Sequence, residues 1–327
     1  MPVTAQDQTT PTSVNTPAAK APAQDDERPI HPITIARIQI VRGFLVLWMR
    51  CFSLKGLYML GRFFGTCEYL CDYNRRRRVH KKLIEIFKDK ATPAWRRVVT
   101  RHYFMRIRCD KMFYTIMDRI PRDKLMNRIK FVGRERIDAA LAQGNGLYVA
   151  LCHFGSHHIA GLIMALLGYK LIGVRDPKES PVRRYIAQKY RETFPEVAAM
   201  KYFYSDTFPR ELFRSFKDGY LVASLLDVAQ RRGEQHKMHP VTIFGETREF
   251  LTGPLKIALR SKAPMLQGFV VSRPNFYYRL VVGATLWDPE TVELVADEET
   301  VVSDCLQRYA NGVEHHAREH PDHLMKI

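Results

Sequence analysis

A histidine closes the apolar run Gly146-Leu147-Tyr148-Val149-Ala150-Leu151-Cys152-His153, and Phe154-Gly155-Ser156-His157-His158 follow it. A Gly-Asn-Gly turn stands before the run. Its mostly apolar residues are enough for a buried parallel strand, and residues 159–167 read as a helix. A polar side chain at the C-terminal end of a strand, just ahead of a helix, sits where open α/β sheets place their chemistry. His153 is therefore the best single candidate for a catalytic group. The plainer reading is a satisfied histidine at the mouth of a core. Two more strand-like runs end on a polar group, 170–174 at Arg175 and 220–226 at Asp227. If these strands are neighbours, an imidazole, a cation and a carboxylate face one crevice. That set suits removal of a proton from a hydroxyl near an anionic group.

Other chemistries lack their marks. The chain has no Gly-x-Ser-x-Gly elbow, no P-loop and no Gly-x-Gly-x-x-Gly, which argues against a serine hydrolase, a nucleotide hydrolase and a dinucleotide enzyme. His153 and His157 are four apart and with Asp227 could hold zinc, making a metal-dependent hydrolase the second alternative. His153 belongs to a strand end, however, so no metal and no organic cofactor are assigned. The six cysteines, at 51, 67, 71, 109, 152 and 305, form no Cys-x-x-Cys pair, as suits reduced thiols in the cytoplasm.

The elements that must position these groups read as follows. Residues 1–31 are rich in Thr, Pro, Ala, Gln and Asp and are expected to be a disordered tail without the features of a signal peptide. Residues 32–125 are expected to form a basic, amphipathic, membrane-facing helical region. Within it, 32–110 carry 18 Lys+Arg against 5 Asp+Glu, a net +13 of the chain's +17. The longest charge-free stretch in 33–70 is 43–49, too short for a span of about 20 apolar residues. An interfacial helix suits it better, with a helical hairpin packed on the domain as the alternative. The run Arg75 to Arg78 lacks displayed aromatics, which argues against nucleic acid. An anionic membrane surface is the expected partner. From 126 to 327 strands alternate with helices, which gives the fold class: α/β, a mixed and largely parallel sheet flanked by helices, preceded by the N-terminal helical segment.

From about Arg37 to Pro289 the chain resembles the bacterial lipid A biosynthesis (lauroyl/myristoyl) acyltransferases and the related lysophospholipid acyltransferases. The resemblance rests on the order of several pieces: Cys-His-Phe-Gly around His153; Gly173-Val174-Arg175-Asp176-Pro177 before Val182-Arg183-Arg184-Tyr185-Ile186; Phe213-Arg214-Ser215-Phe216-Lys217-Asp218-Gly219 before Leu226-Asp227; and Val241-Thr242-Ile243-Phe244-Gly245 before Thr252-Gly253-Pro254. It implies a glycerolipid acyltransferase-like fold. It also implies an enzyme that moves a fatty acyl chain from an acyl carrier protein or acyl-CoA thioester to a hydroxyl of a membrane lipid. The location implied is the cytoplasmic face of the inner membrane, peripheral or monotopic. His153 is the implied base, Arg175 with Arg183 and Arg184 the anion-binding set, and the turns Phe244-Gly245 and Thr252-Gly253 approach the substrate.

The family motif is His, four residues, then an acid, and here His158 holds the acid's place. A neutral imidazole cannot offset imidazolium charge as a carboxylate does. Three arrangements answer this: Asp227 or Glu246 supplies the carboxylate; His157 or His158 orients His153 as a neutral partner; or acyl transfer has been lost and the chain is a non-catalytic lipid-binding relative. The implied catalytic set is thus His153, His158 and Asp227.

Overall fold

The computed structural model describes residues 29–175, 179–204, 210–228, 237–291 and 297–324, with the side chains of Arg175 and Tyr204 excepted. Residues 1–28, most of the expected disordered tail, lie outside that set. The described residues open with the α-helices α1 (Pro32–Cys71), α2 (Tyr73–Phe87), α3 (Pro93–Ile116) and α4 (Arg122–Met126). Strands and helices then alternate as β1 (Ile129–Val132), α5 (Arg134–Ala142), β2 (Leu147–Leu151), α6 (His157–Leu166), β3 (Leu171–Arg175), α7 (Pro181–Thr193), α8 (Pro195–Ala198), β4 (Lys201–Tyr204), α9 (Arg210–Lys217) and β5 (Leu221–Leu225). The hairpin β6 (Met238–Ile243) and β7 (Glu246–Leu251), α10 (Gly253–Arg260), β8 (Met265–Arg273), β9 (Tyr277–Trp287) and α11 (Glu298–Glu319) complete it.

Seven strands form one sheet in the order β1-β9-β8-β2-β5-β3-β4. Every neighbouring pair is parallel except β8 and β9, so the sheet is mixed and largely parallel, as the alternation of elements implies. The central strand β2 is apolar on both faces and buried through Ala150, because helices cover both sides. The segment 241–245 does not join this sheet. It belongs to the separate antiparallel hairpin β6–β7, which lies along α11 with Thr242 bonded to Gln307 and the Phe244 N–H donating to Glu314 at 2.9 Å.

The N-terminal helices share the core of the sheet. Ile38, Leu45 and Leu57 of α1 and Phe113 and Ile116 of α3 pack in one cluster with Leu147 and Val149 of β2 and Leu162 and Ile163 of α6. Gly61 and Gly65 let α1 approach α3 closely, since a Cβ on either would collide with Cys109 or Met105. Arg42 on α1 is buried and pairs with Asp118 at 2.6 Å, which fixes the helix at a second point. One face packs inward, yet Ile40, Val41, Phe44, Leu47, Phe52, Met59, Phe63 and Phe64 remain exposed on the other. Its backbone breaks at Ser53, with φ of 62°. By length and composition it could cross a membrane: an 18-residue window has a mean hydropathy of 1.4. The charge-free stretch alone understates that capacity.

Candidate active site

The strand ends gather the polar groups. β2 and β5 are adjacent and in register, with Leu151 opposite Leu225. The Leu226 N–H donates to the Leu151 carbonyl at 3.2 Å, so the two chains leave the sheet together. His153 follows two residues after β2, and Asp227 two residues after β5. Asp227 Oδ2 accepts the backbone N–H of His153 at 2.7 Å, and Oδ1 lies 2.9 Å from His153 Nδ1. One carboxylate thus holds both the backbone and the ring of the histidine. With Nδ1–H donated to Asp227, Nε2 is the nitrogen left to take a proton. The aspartate side chain is 5% exposed and the histidine 13%, so the pair is shielded while the ring remains reachable.

Neighbouring groups cannot compete for the role. Burial, and then the Asp227 charge, push the Cys152 thiol well above its ordinary value. Tyr309 is likewise held protonated by burial, with Cys152 and Asp227 adding to the effect. Its hydroxyl donates to the Leu151 carbonyl at 3.0 Å and steadies the strand end.

The loop after His153 is tied at every residue. The Gly155 N–H donates to the His323 carbonyl at 2.8 Å. Ser156 is buried, its Oγ 3.0 Å from Ser272 Oγ. Phe154 bridges to Leu324. Ser272 passes the constraint on: its hydroxyl donates to Asp110 at 2.8 Å, and Asp110 also binds Arg106 at 3.0 Å and the Tyr278 hydroxyl at 3.1 Å. Gly155 has φ of +56°, and a Cβ there would strike the Val270 carbonyl oxygen. Gly155→Ala is expected to cost about 1–3 kcal/mol in backbone strain alone. A urea midpoint unchanged from wild type would show that the loop tolerates the side chain.

His158 lies elsewhere. It stands in the first turn of α6, and its ring meets Tyr114 edge-on at 4.8 Å and His157 at 5.5 Å. Among the described residues no hydrogen bond or ring contact joins it to His153 directly. His157 is the ring beside His153, 5.1 Å away and edge-on. Burial lowers the His158 pKa to about 4, with Asp110 opposing and Arg183, Arg106 and Lys111 reinforcing the fall. The imidazole is neutral at pH 7, so it brings no negative charge to the motif position. Glu246, the other candidate acid, is exposed at the start of β7 and pairs with Arg248 at 3.0 Å.

The remaining sequence candidates separate. Arg175 ends β3, which neighbours β5, so its backbone reaches the same edge; its side chain lies outside the described residues. Arg183 and Arg184 are in the first turn of α7. Thr252 and Gly253 adjoin Asp227, because the Leu251 N–H donates to the Leu226 carbonyl at 3.3 Å. The Phe244-Gly245 turn is at the other end of β7, about 20 Å away for strands of this length, so one reacting centre cannot touch both turns. Phe244 is buried in the core instead. Among the described residues no group of three His, Cys, Asp or Glu is placed to hold a metal ion, which leaves the metal-dependent hydrolase without a site there. Sequence reasoning missed His323, Ser272 and Asp110, which brace the loop from far along the chain and carry no local motif.

A mixed sheet with helices on both faces, a polar centre at its C-terminal edge and a long apolar N-terminal helix define an acyltransferase-like α/β protein. The chain matches the bacterial lipid A biosynthesis acyltransferase family over residues 30–325 and belongs to it. That is a family of enzymes, and its reaction is acyl transfer. A search among curated proteins found no match.

Proposed function

We propose that this protein transfers a fatty acyl chain from a thioester donor, acyl carrier protein or acyl-CoA, to a hydroxyl of a membrane lipid, with His153 as general base and Asp227 as its acid partner. The observation that carries the reading is the two-point hold of Asp227 on His153. Nε2 removes the acceptor proton as the hydroxyl oxygen attacks the thioester carbonyl. The new C–O bond forms, the C–S bond breaks, and the thiolate leaves with the proton that His153 has taken. Asp227 offsets the imidazolium charge while it exists. The motif acid is thereby supplied from another strand, which favours a working enzyme over a lipid-binding relative that has lost the reaction.

The acyl chain has an apolar wall beside the centre. A recess beneath β2 is lined by Val149, Leu151, Ala160, Gly161 and Gly268, and Leu151 is two residues from His153. The exposed apolar face of α1 sets the protein on the lipid surface, and the basic excess in 32–110 favours an anionic, cytoplasmic leaflet of the inner membrane. The reading is tested by following thiol release from an acyl thioester. Release that requires a hydroxyl-bearing lipid supports it. Release by water alone, or none from either donor type, removes it.

Membrane association itself has a separate expectation. Each basic residue near anionic lipid contributes roughly 1 kcal/mol, and salt screens that attraction. Binding to anionic vesicles should weaken as salt rises and persist in part through the α1 apolar face. Binding insensitive to salt, or equal on uncharged vesicles, would remove the electrostatic share.

A further inference from the structure

β8 runs on past β2. The pairing of the two strands ends at Ala150 and Gln267, whereas β8 continues to Arg273 with β9 on its other side, Ser272 opposite Tyr278. The overhanging edge carries backbone groups that need partners once buried. The Val270 carbonyl accepts the Ser156 N–H at 3.4 Å. The Ser272 N–H goes to a side chain: it donates to His323 Nε2 at 3.0 Å. The Ser272 carbonyl is farther from that nitrogen, at 3.3 Å, and an N–H can only donate, so Nε2 accepts. His323 is 4% exposed, and its Nδ1 lies 2.9 Å from Asp322 Oδ1. With Nδ1–H donated to that carboxylate, Nε2 is the bare nitrogen that a backbone N–H requires. A second Asp–His pair thus stands behind the loop, set to accept a fixed backbone proton.

The segment tied in this way reaches the reactive loop. The Asp322 carbonyl takes two bonds from Arg106 of α3, at 3.0 and 2.8 Å. The His323 carbonyl accepts the Gly155 N–H at 2.8 Å, Leu324 bridges to Phe154, and the His323 ring stacks on Phe154 at 5.4 Å. Phe154 is the residue after the base. Asp227 holds His153 itself, and residues 323 and 324 hold the two residues that follow it. We propose that His323 is a positioning residue for the reaction. Its Nε2 fastens residues 322–324 to β8, and the fastened segment fixes the 153–156 loop so that the His153 ring stays on Asp227 and presents its own Nε2 to the acceptor hydroxyl. Among the described residues no hydrogen bond or ring contact joins His323 to His153, so the effect passes through Phe154 and Gly155. A displacement of about 1 Å at a reacting group can cost roughly 10²-fold in rate. That the loop serves acyl transfer rests on the acyl-transfer reading.

The test compares His323→Asn with His323→Gln in the full chain. Asparagine has polar atoms at the depth of Nδ1 and none at that of Nε2, and glutamine has the reverse. Initial rates with an acyl thioester and a hydroxyl-bearing lipid are read beside a melting curve and amide hydrogen exchange of peptides 147–151 and 153–158. In His323→Asn kcat should fall at least about ten-fold, with KM for the thioester within about two-fold of wild type, and exchange should quicken in 153–158 alone. His323→Gln, whose amide oxygen can take the Ser272 N–H, should recover most of that loss. Wild-type kcat and exchange in folded His323→Asn overturn the positioning role. Equal damage by both variants also overturns it, leaving ring packing on Phe154 as the whole effect. A rise in KM with kcat kept would place residue 323 in substrate binding instead. If His323→Asn does not fold, Asp322→Asn puts the same question: its NH2 facing Nδ1 drives the ring proton to Nε2, against the Ser272 N–H, and an unchanged kcat overturns the role. A wild type that transfers from no thioester sinks the catalytic reading, and exchange in 153–158 then decides by itself whether His323 holds the loop.

Discussion

His153→Gln is expected to lower thioester-dependent acyl transfer by about 10²–10⁴-fold, the usual worth of a positioned general base. Glutamine is close in length and can still donate to Asp227, so the loop should keep its place. What disappears is a basic nitrogen able to accept the acceptor's proton. The loop is also held independently of the ring, through the Gly155 bond to His323, the buried Ser156 and the backbone N–H of residue 153 on Asp227. Thermal stability and membrane binding should therefore remain near wild type. The check is initial-rate kinetics beside a melting curve. A variant that folds and transfers at the wild-type rate would remove His153 from the chemistry.

Asp227→Asn is expected to be of similar severity, about 10²–10⁴-fold, for a different reason. The carboxylate accepts from two donors of His153 at once. An amide offers one acceptor oxygen and one NH2 group. If the oxygen stays on the backbone N–H, the NH2 faces Nδ1, which must then accept, and the proton moves to Nε2. The ring is left in the tautomer that cannot act as base. If the amide turns over, it loses the backbone N–H instead. Either way no negative charge remains to offset the imidazolium. His158→Ala should differ in kind: the ring makes no hydrogen bond to His153, so kcat should hold within a few-fold while stability falls with the lost packing on Tyr114. A silent Asp227→Asn together with a damaging His158→Ala would return the orienting role to the motif position.

Much of this was legible in the residues, and the rest was hidden for physical reasons. The runs leading to His153, Arg175 and Asp227 are short, mostly apolar and bounded by turns, and apolar runs of that kind announce buried parallel strands. Their adjacency in the sheet is a tertiary fact; order and spacing made it an expectation, and the β2-β5-β3 sequence of neighbours supplies it. The strand at 201–204 leaves little trace in the sequence, because Lys201-Tyr202-Phe203-Tyr204 is a short edge strand without polar–apolar alternation. That 241–243 belong to a detached hairpin is not legible in the sequence, because periodicity cannot tell a hairpin strand from a strand of the main sheet. The choice among Asp227, Glu246, His157 and His158 as partner was open in the sequence, since a hydrogen bond spanning 74 residues leaves no local trace. The same holds for His323 and Ser272.

The central claim is that His153 and Asp227 act as one unit, and a double-mutant cycle in kcat tests it most directly. Groups that act together are non-additive in catalysis. His153→Gln, Asp227→Asn and the double variant should then have similar rates, the second substitution costing little once the first is made. If the two losses multiply instead, so that the double variant falls by the product of the single effects, the residues act independently and the pairing read from the structure is not the catalytic one.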